Sequence, residues 1–390
     1  MNVLLIHNFY QQPGGEDRVF QQEGALLEER GNDVTRFSIH NNQIANLNKL
    51  RLAGATFWNG SVATQIRTLI KRVQPTVIHC HNIFPLISPA VYYVAQSLHV
   101  PVVQTLHNYR LLCPAAIFYR DGHPCEDCMG TVTLWPSVAH GCYQGSRTAT
   151  TVAATMLGLH RFMSTWQSKV DVYIALTEFA RQKFIEGGLP DDKIVVKPNF
   201  LHSPSVCGEG QGGYALFVGR LVPEKGITVL LDAWRHVGSR IPLKIVGDGP
   251  LASTVSEYTQ TTVGVEWLGS QNADQVRVLM KNAQILILPS TWYEGFPMIV
   301  AEAYAAGLPI IASSLGSLSS LVAHGYTGRQ FQPGNDTDLR TQVEWVLAHP
   351  EDLFRMRRNA REEFNLKYTA ERNYELLMGI YEKARVRKLR

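Results

Sequence analysis

The chain has 390 residues, enough for two domains of ordinary size, each with its own core. Its 45% hydrophobic and 18% charged residues describe a soluble globular protein, and a net charge of +4 is too mild for a nucleic-acid binder, so no nucleic-acid partner is expected. Residues 1–10 lack the charged start and apolar length of a signal peptide, and no stretch approaches the ~18 apolar residues of a membrane span, so the sequence reads as cytoplasmic. In that compartment six cysteines point to thiols or metal ligands and away from a disulfide framework.

Residues 3–7 read as an apolar strand, 8–15 as a loop rich in proline and glycine, 17–30 as a helix closed by Gly31, and 34–39 as a second strand. This βαβ unit places its first loop at the carboxyl edge of a parallel sheet. Gly14 and Gly15 head the helix, where backbone amides reach a phosphate, although such pairs more often only make a turn. Glu16 would repel a phosphate and is read as a cap or an acceptor-side group. Residues 47–73 mix Arg51, Arg67, Lys71 and Arg72 with Leu52, Phe57, Trp58 and Ile66. That composition fits a helix packed on its sheet as well as a surface meeting a lipid-linked acceptor at the inner membrane surface.

Two further strands, 76–80 and 100–106, are followed by His81-Asn82 and by His107-Asn108. A lone histidine is usually structural, but two leaving equivalent sheet edges favour a cleft. Cys113, Cys125, Cys128 and Cys142 then frame an irregular insertion, about 113–142. They could form a tetrahedral structural zinc site, remain unligated thiols, or act as a redox pair. The set lacks the histidine and carboxylate ligands and the open position of a catalytic metal, so no catalytic metal is expected. A helix over 148–170 and strands 171–176 and 194–196 complete a first domain of residues 1–202.

A linker rich in glycine and serine, 203–213, leads into a second domain, 214–368, with strands 215–218, 243–246 and 283–288 and a helix over 229–236. After the first of these strands, Gly219 to Gly226 set Arg220 and Lys225 around a tight turn. The two cations suit a diphosphate whose charge grows as it leaves, although such a pair is usually surface charge. After the last of them comes TWYEGFPMIVAEAYAA. Gly295 allows close backbone approach, Pro297 suits the first helical position, and the amides of Met298 and Ile299 would face an anion. Glu294 lies before this helix and Glu302 one to two turns inside it. Both are strong acceptors for sugar hydroxyls, against the plainer reading of a helix-start charge and an exposed helix residue. Helices over 336–348 and 369–387 end the chain.

The run Tyr293-Glu294-Gly295-Phe296-Pro297 through Glu302 resembles the Glu-x7-Glu signature of retaining GT-B glycosyltransferases of family four, also called group 1. Gly219-Arg220-Leu221 with Glu224-Lys225-Gly226, Gly247-Asp248-Gly249-Pro250, Leu268-Gly269-Ser270 and Thr105-Leu106-His107-Asn108-Tyr109 resemble other segments of that family, so the likeness covers nearly the whole chain. It implies an α/β GT-B fold of two Rossmann-like doubly wound domains facing a central cleft, with a last helix, 369–390, returning to the first domain. It also implies a retaining transferase that moves a hexose-type sugar from a nucleotide sugar, UDP-linked or alternatively GDP-linked, to a glycan or lipid-linked acceptor in bacterial surface polysaccharide biosynthesis.

Under that resemblance Gly14, Gly15, Arg220 and Lys225 meet the diphosphate, the Gly269 turn meets the base, and Glu302 holds the ribose. Glu294 and the backbone near Phe296 bind the donor sugar, and His107 orients it. The family more often has Asp where this chain has Asn108.

Two other functions compete. One is a binding protein for sugar nucleotides or glycans that keeps the fold without catalysis. The other is an NAD-dependent oxidoreductase, because Gly247-x-Gly249-x-x-Ala252 with Glu266 about 20 residues on formally matches a dinucleotide fingerprint. Pro250 inside that turn and its place after a second strand argue against the oxidoreductase.

Overall fold

The computed structural model describes residues 1–12, 14–131, 133–204 and 206–389. Ser205 of the expected linker and Arg390 of the expected last helix lie outside the described residues, as do Pro13 and Val132 in the expected first loop and cysteine insertion. The chain divides into two compact units. The first holds Met1–Phe118, Glu126–His202 and Ala370–Arg390, and the second holds Tyr119–Cys125 and Ser203–Thr369.

In the first unit six parallel strands run in the order β2-β1-β3-β4-β7-β8. They are β1 (Asn2–Phe9), β2 (Asp33–His40), β3 (Val77–Asn82), β4 (Val102–Leu106), β7 (Val172–Ala175) and β8 (Ile194–Val196). β5 (Tyr119–Arg120) and β6 (His123–Pro124) form a separate antiparallel hairpin that groups with the second unit. The inner strands are buried along their length because helices cover both faces of a parallel sheet, although β3 and β4 carry His79, His81, Asn82, Gln104 and Thr105 inside. Register between β1 and β3 shifts after Ile6, which leaves His81 as the extra residue of β3 and re-aims its side chain. His81 and Asn82 are therefore the last residues of the strand and do not follow it.

The helix Ala370–Lys388 belongs to this first unit. Leu377, Ile380, Tyr381 and Ala384 pack in one core with Val3, Leu5, Phe20, Val103 and Ile174. The expected helix over 148–170 is two helices, Arg147–Phe162 and Thr165–Ser168, separated by Ser164 in the left-handed region. Residues 47–73 likewise hold two helices, Lys49–Phe57 and Gly60–Val73, each started by an asparagine side chain, Asn48 and Asn59.

The second unit is again a six-stranded parallel sheet but in a different order, β11-β10-β9-β12-β13-β14, with its first strand third from one edge. Its strands are β9 (Ala215–Val218), β10 (Leu243–Val246), β11 (Val265–Trp267), β12 (Ile285–Leu288), β13 (Ile310–Ser313) and β14 (Gly328–Phe331). Strand order reverses between β9 and β12, the place where open α/β sheets leave a crevice at their carboxyl ends. Part of the expected linker is tied into this unit, since Gly208, Gly210 and Gly212 donate backbone hydrogen bonds to Ala306, Lys281 and Asn282.

One polar link stands out inside the first unit. Lys197, just after β8, donates to Glu23 on the helix Gly15–Glu29 and, at 2.6 Å, to Asn373 Oδ1 on the last helix. Both charged side chains are 1% exposed. Lys197→Ala strands the Glu23 carboxylate in the core and should cost about 3–5 kcal/mol of stability. Equilibrium denaturation checks this, and a loss below about 1 kcal/mol would show that the carboxylate finds another partner.

Candidate functional site

In the second unit the loops after β9 and β12 carry the charged groups. Lys225 Nζ donates to Glu294 Oε1 at 2.6 Å, Ser290 Oγ donates to the same oxygen at 2.7 Å, and Ser313 Oγ donates to the Ser290 carbonyl at 2.6 Å. Glu294 is buried, whereas Lys225 keeps a fifth of its side chain exposed and lies 5.7 Å from the centre of the Trp292 ring. Thus the cation reaches solvent while the carboxylate beneath it is fixed by two donors.

The two loops are locked by backbone. Thr291 N donates to the Glu224 carbonyl at 2.9 Å, and Gly226, at φ +69°, lies so close to Pro289 that a Cβ would stand 1.9 Å from the Pro289 carbonyl oxygen. Any side chain at Gly226 would push Lys225 away from Glu294. The neighbouring turns are stitched together similarly, with Gly219 N donating to Val246 O at 3.0 Å and Gly247 N to Gly269 O at 2.9 Å.

A Cβ on Gly247 would meet the Gly219 carbonyl oxygen at 1.8 Å, and one on Gly249 the Leu221 carbonyl oxygen at 2.6 Å. Contact with the adjoining loop therefore explains these glycines without a dinucleotide. The sequence match to an oxidoreductase fingerprint loses its basis.

Pro297 caps the helix Met298–Ala305 from outside, with φ −70° and ψ 119°, and is not its first residue. Its extended ψ turns the chain into the helix after Gly295, leaving Met298 and Ile299 in the first turn, where amides lack intrahelical partners. Phe296 is buried 5.5 Å from the Tyr368 ring, which anchors the loop. Glu302 is half-buried on the helix, and Arg220 is exposed.

The first unit holds a different constellation. His107 follows β4 directly and is half-buried. Its Nε2 lies 3.0 Å from His81 Nδ1, with the rings stacked at 5.2 Å. His79, on the same face of β3, commits Nδ1 to Tyr381 OH at 2.9 Å and Nε2 to Thr105 Oγ1 at 2.8 Å. Burial pushes the His81 and His107 pKa values well below the usual histidine range and that of His79 down to about 4, so all three are neutral near pH 7.

Glu23, His79 and His81 form the one group among the described residues whose histidine, cysteine or carboxylate ligand atoms lie within 4.8 Å of one another. Lys197 holds Glu23 and both His79 nitrogens are hydrogen-bonded, so the group fits a polar network better than a cation.

Gly14 caps the helix Gly15–Glu29, but its amide is spent on Asp17 Oδ2 at 2.7 Å, while Asp17 Oδ1 meets His7 Nε2 at 2.6 Å. The capping carboxylate is thus Asp17 and not Glu16. Gly15 is exposed at the start of the helix. Asn108 Nδ2 donates to Glu16 Oε2 at 3.2 Å and lies 3.4 Å from Tyr10 OH. Asn108 therefore supplies a donor where an aspartate would bring a second carboxylate.

Of the four cysteines, Cys113, Cys128 and Cys142 lie in the first unit, close enough for Cys113 and Cys142 to act electrostatically on Cys128. Burial is the main reason that the Cys128 thiol is pushed up to about 11. Cys125 closes the short segment assigned to the second unit.

Asp17, Glu23, Lys197, Ser290 and Trp292 are the residues that sequence reasoning missed. Asp17 had a readable signal, an acid three residues after a glycine at a helix start. Ser290 immediately precedes the run TWYEGFPMIVAEAYAA, and Trp292 lies within it without an assigned role.

Two doubly wound parallel sheets, the second with a paired cation and carboxylate at its switch point, define a GT-B protein. Residues 9–199 match the family model described as glycosyl transferase 4-like domain, and residues 209–363 the model described as glycosyl transferases group 1. Between them the two models take in most of the chain, and both support a group 1 glycosyltransferase of GT-B fold.

Among solved structures it is similar to Anabaena Alr3699/HepE in complex with UDP-glucose, with 16% identity and a TM-score of 0.69 over 98% of this chain and 100% of that one. It is also similar to sucrose-phosphate synthase from Thermosynechococcus elongatus, with 16% identity and a TM-score of 0.71 over 98% of each chain. An uncharacterized glycosyltransferase of Methanocaldococcus jannaschii is 29% identical over 51% of this chain and 57% of its own. The lipopolysaccharide 1,2-N-acetylglucosaminetransferase of Salmonella typhimurium is 33% identical over 35% and 39% respectively. The chain thus spans roughly half or less of the length of these two relatives.

Glu16 offers a direct test. The residue is half-buried, but its Oε1 is shut off from solvent without a partner, and burial above all raises the carboxyl pKa from 4.5 to about 7. A raised carboxyl pKa favours the folded state only while the group is protonated, so stability should fall as pH rises from about 4.5 through 7, by up to about 3 kcal/mol. Denaturation at pH 5 and pH 8 should show Glu16→Gln losing less over this interval than the unaltered protein. Equal losses would place the titration elsewhere.

Proposed function

We infer that the chain is a retaining glycosyltransferase that moves a hexose-type sugar from a nucleotide diphosphate sugar to a glycan or lipid-linked acceptor in bacterial surface polysaccharide biosynthesis. The observation that carries this reading is the Lys225–Glu294 pair at the switch point of the second sheet, 2.6 Å across and reaching solvent on the lysine side. An ammonium beside a fixed carboxylate offers one donor for phosphate and one acceptor for hydroxyls in a single small site.

Lys225 and Arg220 oppose charge as the diphosphate leaves, Glu294 with the backbone at Gly295 to Ile299 holds the donor sugar, and Glu302 holds the ribose. On the same reading Gly219 and Gly269 let backbone approach the nucleotide, Gly14 and Gly15 are assigned to the diphosphate, and His107 is assigned to orienting the sugar for front-face attack by the acceptor. Positioning and charge stabilisation carry the chemistry. UDP and UDP-glucose bound by the HepE neighbours support a UDP-sugar donor, with GDP as the alternative. The Salmonella relative supports a surface-glycan acceptor.

No helix among the described residues is long and apolar enough to cross a membrane. Peripheral contact from the cytoplasmic side is part of the same reading. It is supported by exposed Leu50, Trp58, Phe162 and Met163 in the first unit, and by a cavity of about 370 Å³ lined by Leu52, Phe84, Tyr143 and Val152, with Lys49 among its walls.

A panel of nucleotide sugars, with released nucleotide and extended acceptor read by mass spectrometry, tests the function. Donor binding without release or transfer favours a binding protein instead. Lys225→Ala should raise the barrier to transfer by about 2–4 kcal/mol, more than it lowers stability, because Ser290 Oγ still donates to the buried Glu294; unchanged turnover at saturating donor would sink its role.

Structural zinc held by Cys113, Cys125, Cys128 and Cys142 belongs to the reading as well, although the four sulfurs do not lie together as a ligand group and an ion would have to draw them in. Elemental analysis of protein purified without a metal-binding tag should find close to one equivalent, and less than roughly a tenth rejects it.

A further inference from the structure

Two polar atoms in the first unit face each other without a hydrogen bond. Glu23 Oε2 and His81 Nε2 lie 3.4 Å apart, and both are buried and unpaired. Native proteins leave few such atoms, and each asks for a reason.

The partners of these two residues supply one. Glu23 Oε1 accepts from the buried Lys197 ammonium, which makes Glu23 an acceptor facing His81. An acceptor there calls for a proton on His81 Nε2. A neutral His81 then has a bare Nδ1, which must accept from His107 Nε2 at 3.0 Å. A neutral His107 in turn carries its proton on Nε2 and presents Nδ1, which has no hydrogen-bond partner among the described residues, as an acceptor.

Neighbouring titratable groups leave this chain uncontested. His79 is saturated by Tyr381 and Thr105, His7 Nε2 is bonded to Asp17, and Lys197 is shared between Glu23 and Asn373.

We propose that Glu23 and His81 form a relay that fixes the tautomer of His107, so that His107 Nδ1 accepts a hydrogen bond from a hydroxyl of the sugar substrate. Both are positioning residues, and their benefit to transfer rests on the reading of His107 as a group that meets substrate. The carboxylate sets one proton, the bulged histidine passes the choice along, and His107 Nδ1 receives it.

Long-range proton–nitrogen NMR of the full chain labelled with 15N-histidine reads which ring nitrogen bears each proton. His81 and His107 should both be protonated on Nε2. In Glu23→Gln the amide oxygen is drawn to Lys197, so the amide N–H faces His81 Nε2 and both histidines should switch to Nδ1–H.

Transfer by E23Q should fall about 10- to 100-fold in kcat with donor KM little changed, which a simple packing defect would not separate. His107 protonated on Nδ1 in the unaltered protein overturns the relay, and so does E23Q with an unchanged His107 tautomer. If the tautomer switches and transfer persists, the relay stands and the assignment of His107 to substrate falls. Should E23Q not fold, the spectrum of the unaltered protein decides alone.

Discussion

A buried ammonium facing a buried carboxylate, Lys197 with Glu23, is the constraint around which the first unit is arranged. Neither charge tolerates the core alone, so the helix Gly15–Glu29, the end of β8 and the helix Ala370–Lys388 are held together by their need to neutralise each other. The histidines of β1, β3 and the turn after β4 gather on the carboxylate side of this pair, where burial keeps His79, His81 and His107 uncharged. A second cation there would contend with Lys197 for the same carboxylate.

The second unit uses an ion pair differently. Lys225 and Glu294 sit at the rim of a sheet with the lysine partly in water, so their attraction is screened and the pair can exchange partners. Under the proposed function, phosphate oxygens and sugar hydroxyls would be the groups that compete for the two ends. What cannot change is the spacing of the two loops, because Gly226 and Pro289 are in backbone contact. A fixed scaffold thus carries an exchangeable charge pair.

Much of this was legible in the sequence. β9, β10, β8 and the helix Asp336–Ala348 begin and end where apolar periodicity and turn residues place them. Lys225 and Glu294 stand out because they lie in compact motifs beside glycines. Their bond to each other does not, since 69 residues separate them. Lys197 and Glu23 carry no sequence signal of their pairing, and only the sheet order brings together residues 174 positions apart.

The break at Ser164 carries no glycine or proline to announce it, and Pro297 shows a limit of positional statistics, since a proline can cap a helix as well as begin one. The helix Pro350–Lys367 had a clear start in Pro350, yet its scattered apolar positions, Met356, Ala360 and Phe364, make a weak stripe among many charges.

The return of the last helix to the first unit has a consequence for the order of synthesis. Domains usually fold as they emerge, amino-terminal first. Here the first sheet is translated early but lacks Leu377, Ile380, Tyr381 and Asn373, so its core stays open and Lys197 lacks one of its two acceptors. Apart from the short hairpin, the second unit is contiguous from Ser203 to Thr369 and has every core residue in hand before Ala370 is made. The half translated second is therefore the half able to finish first, and the nascent first half depends on the cell to keep its exposed sheet from aggregating until the final helix arrives.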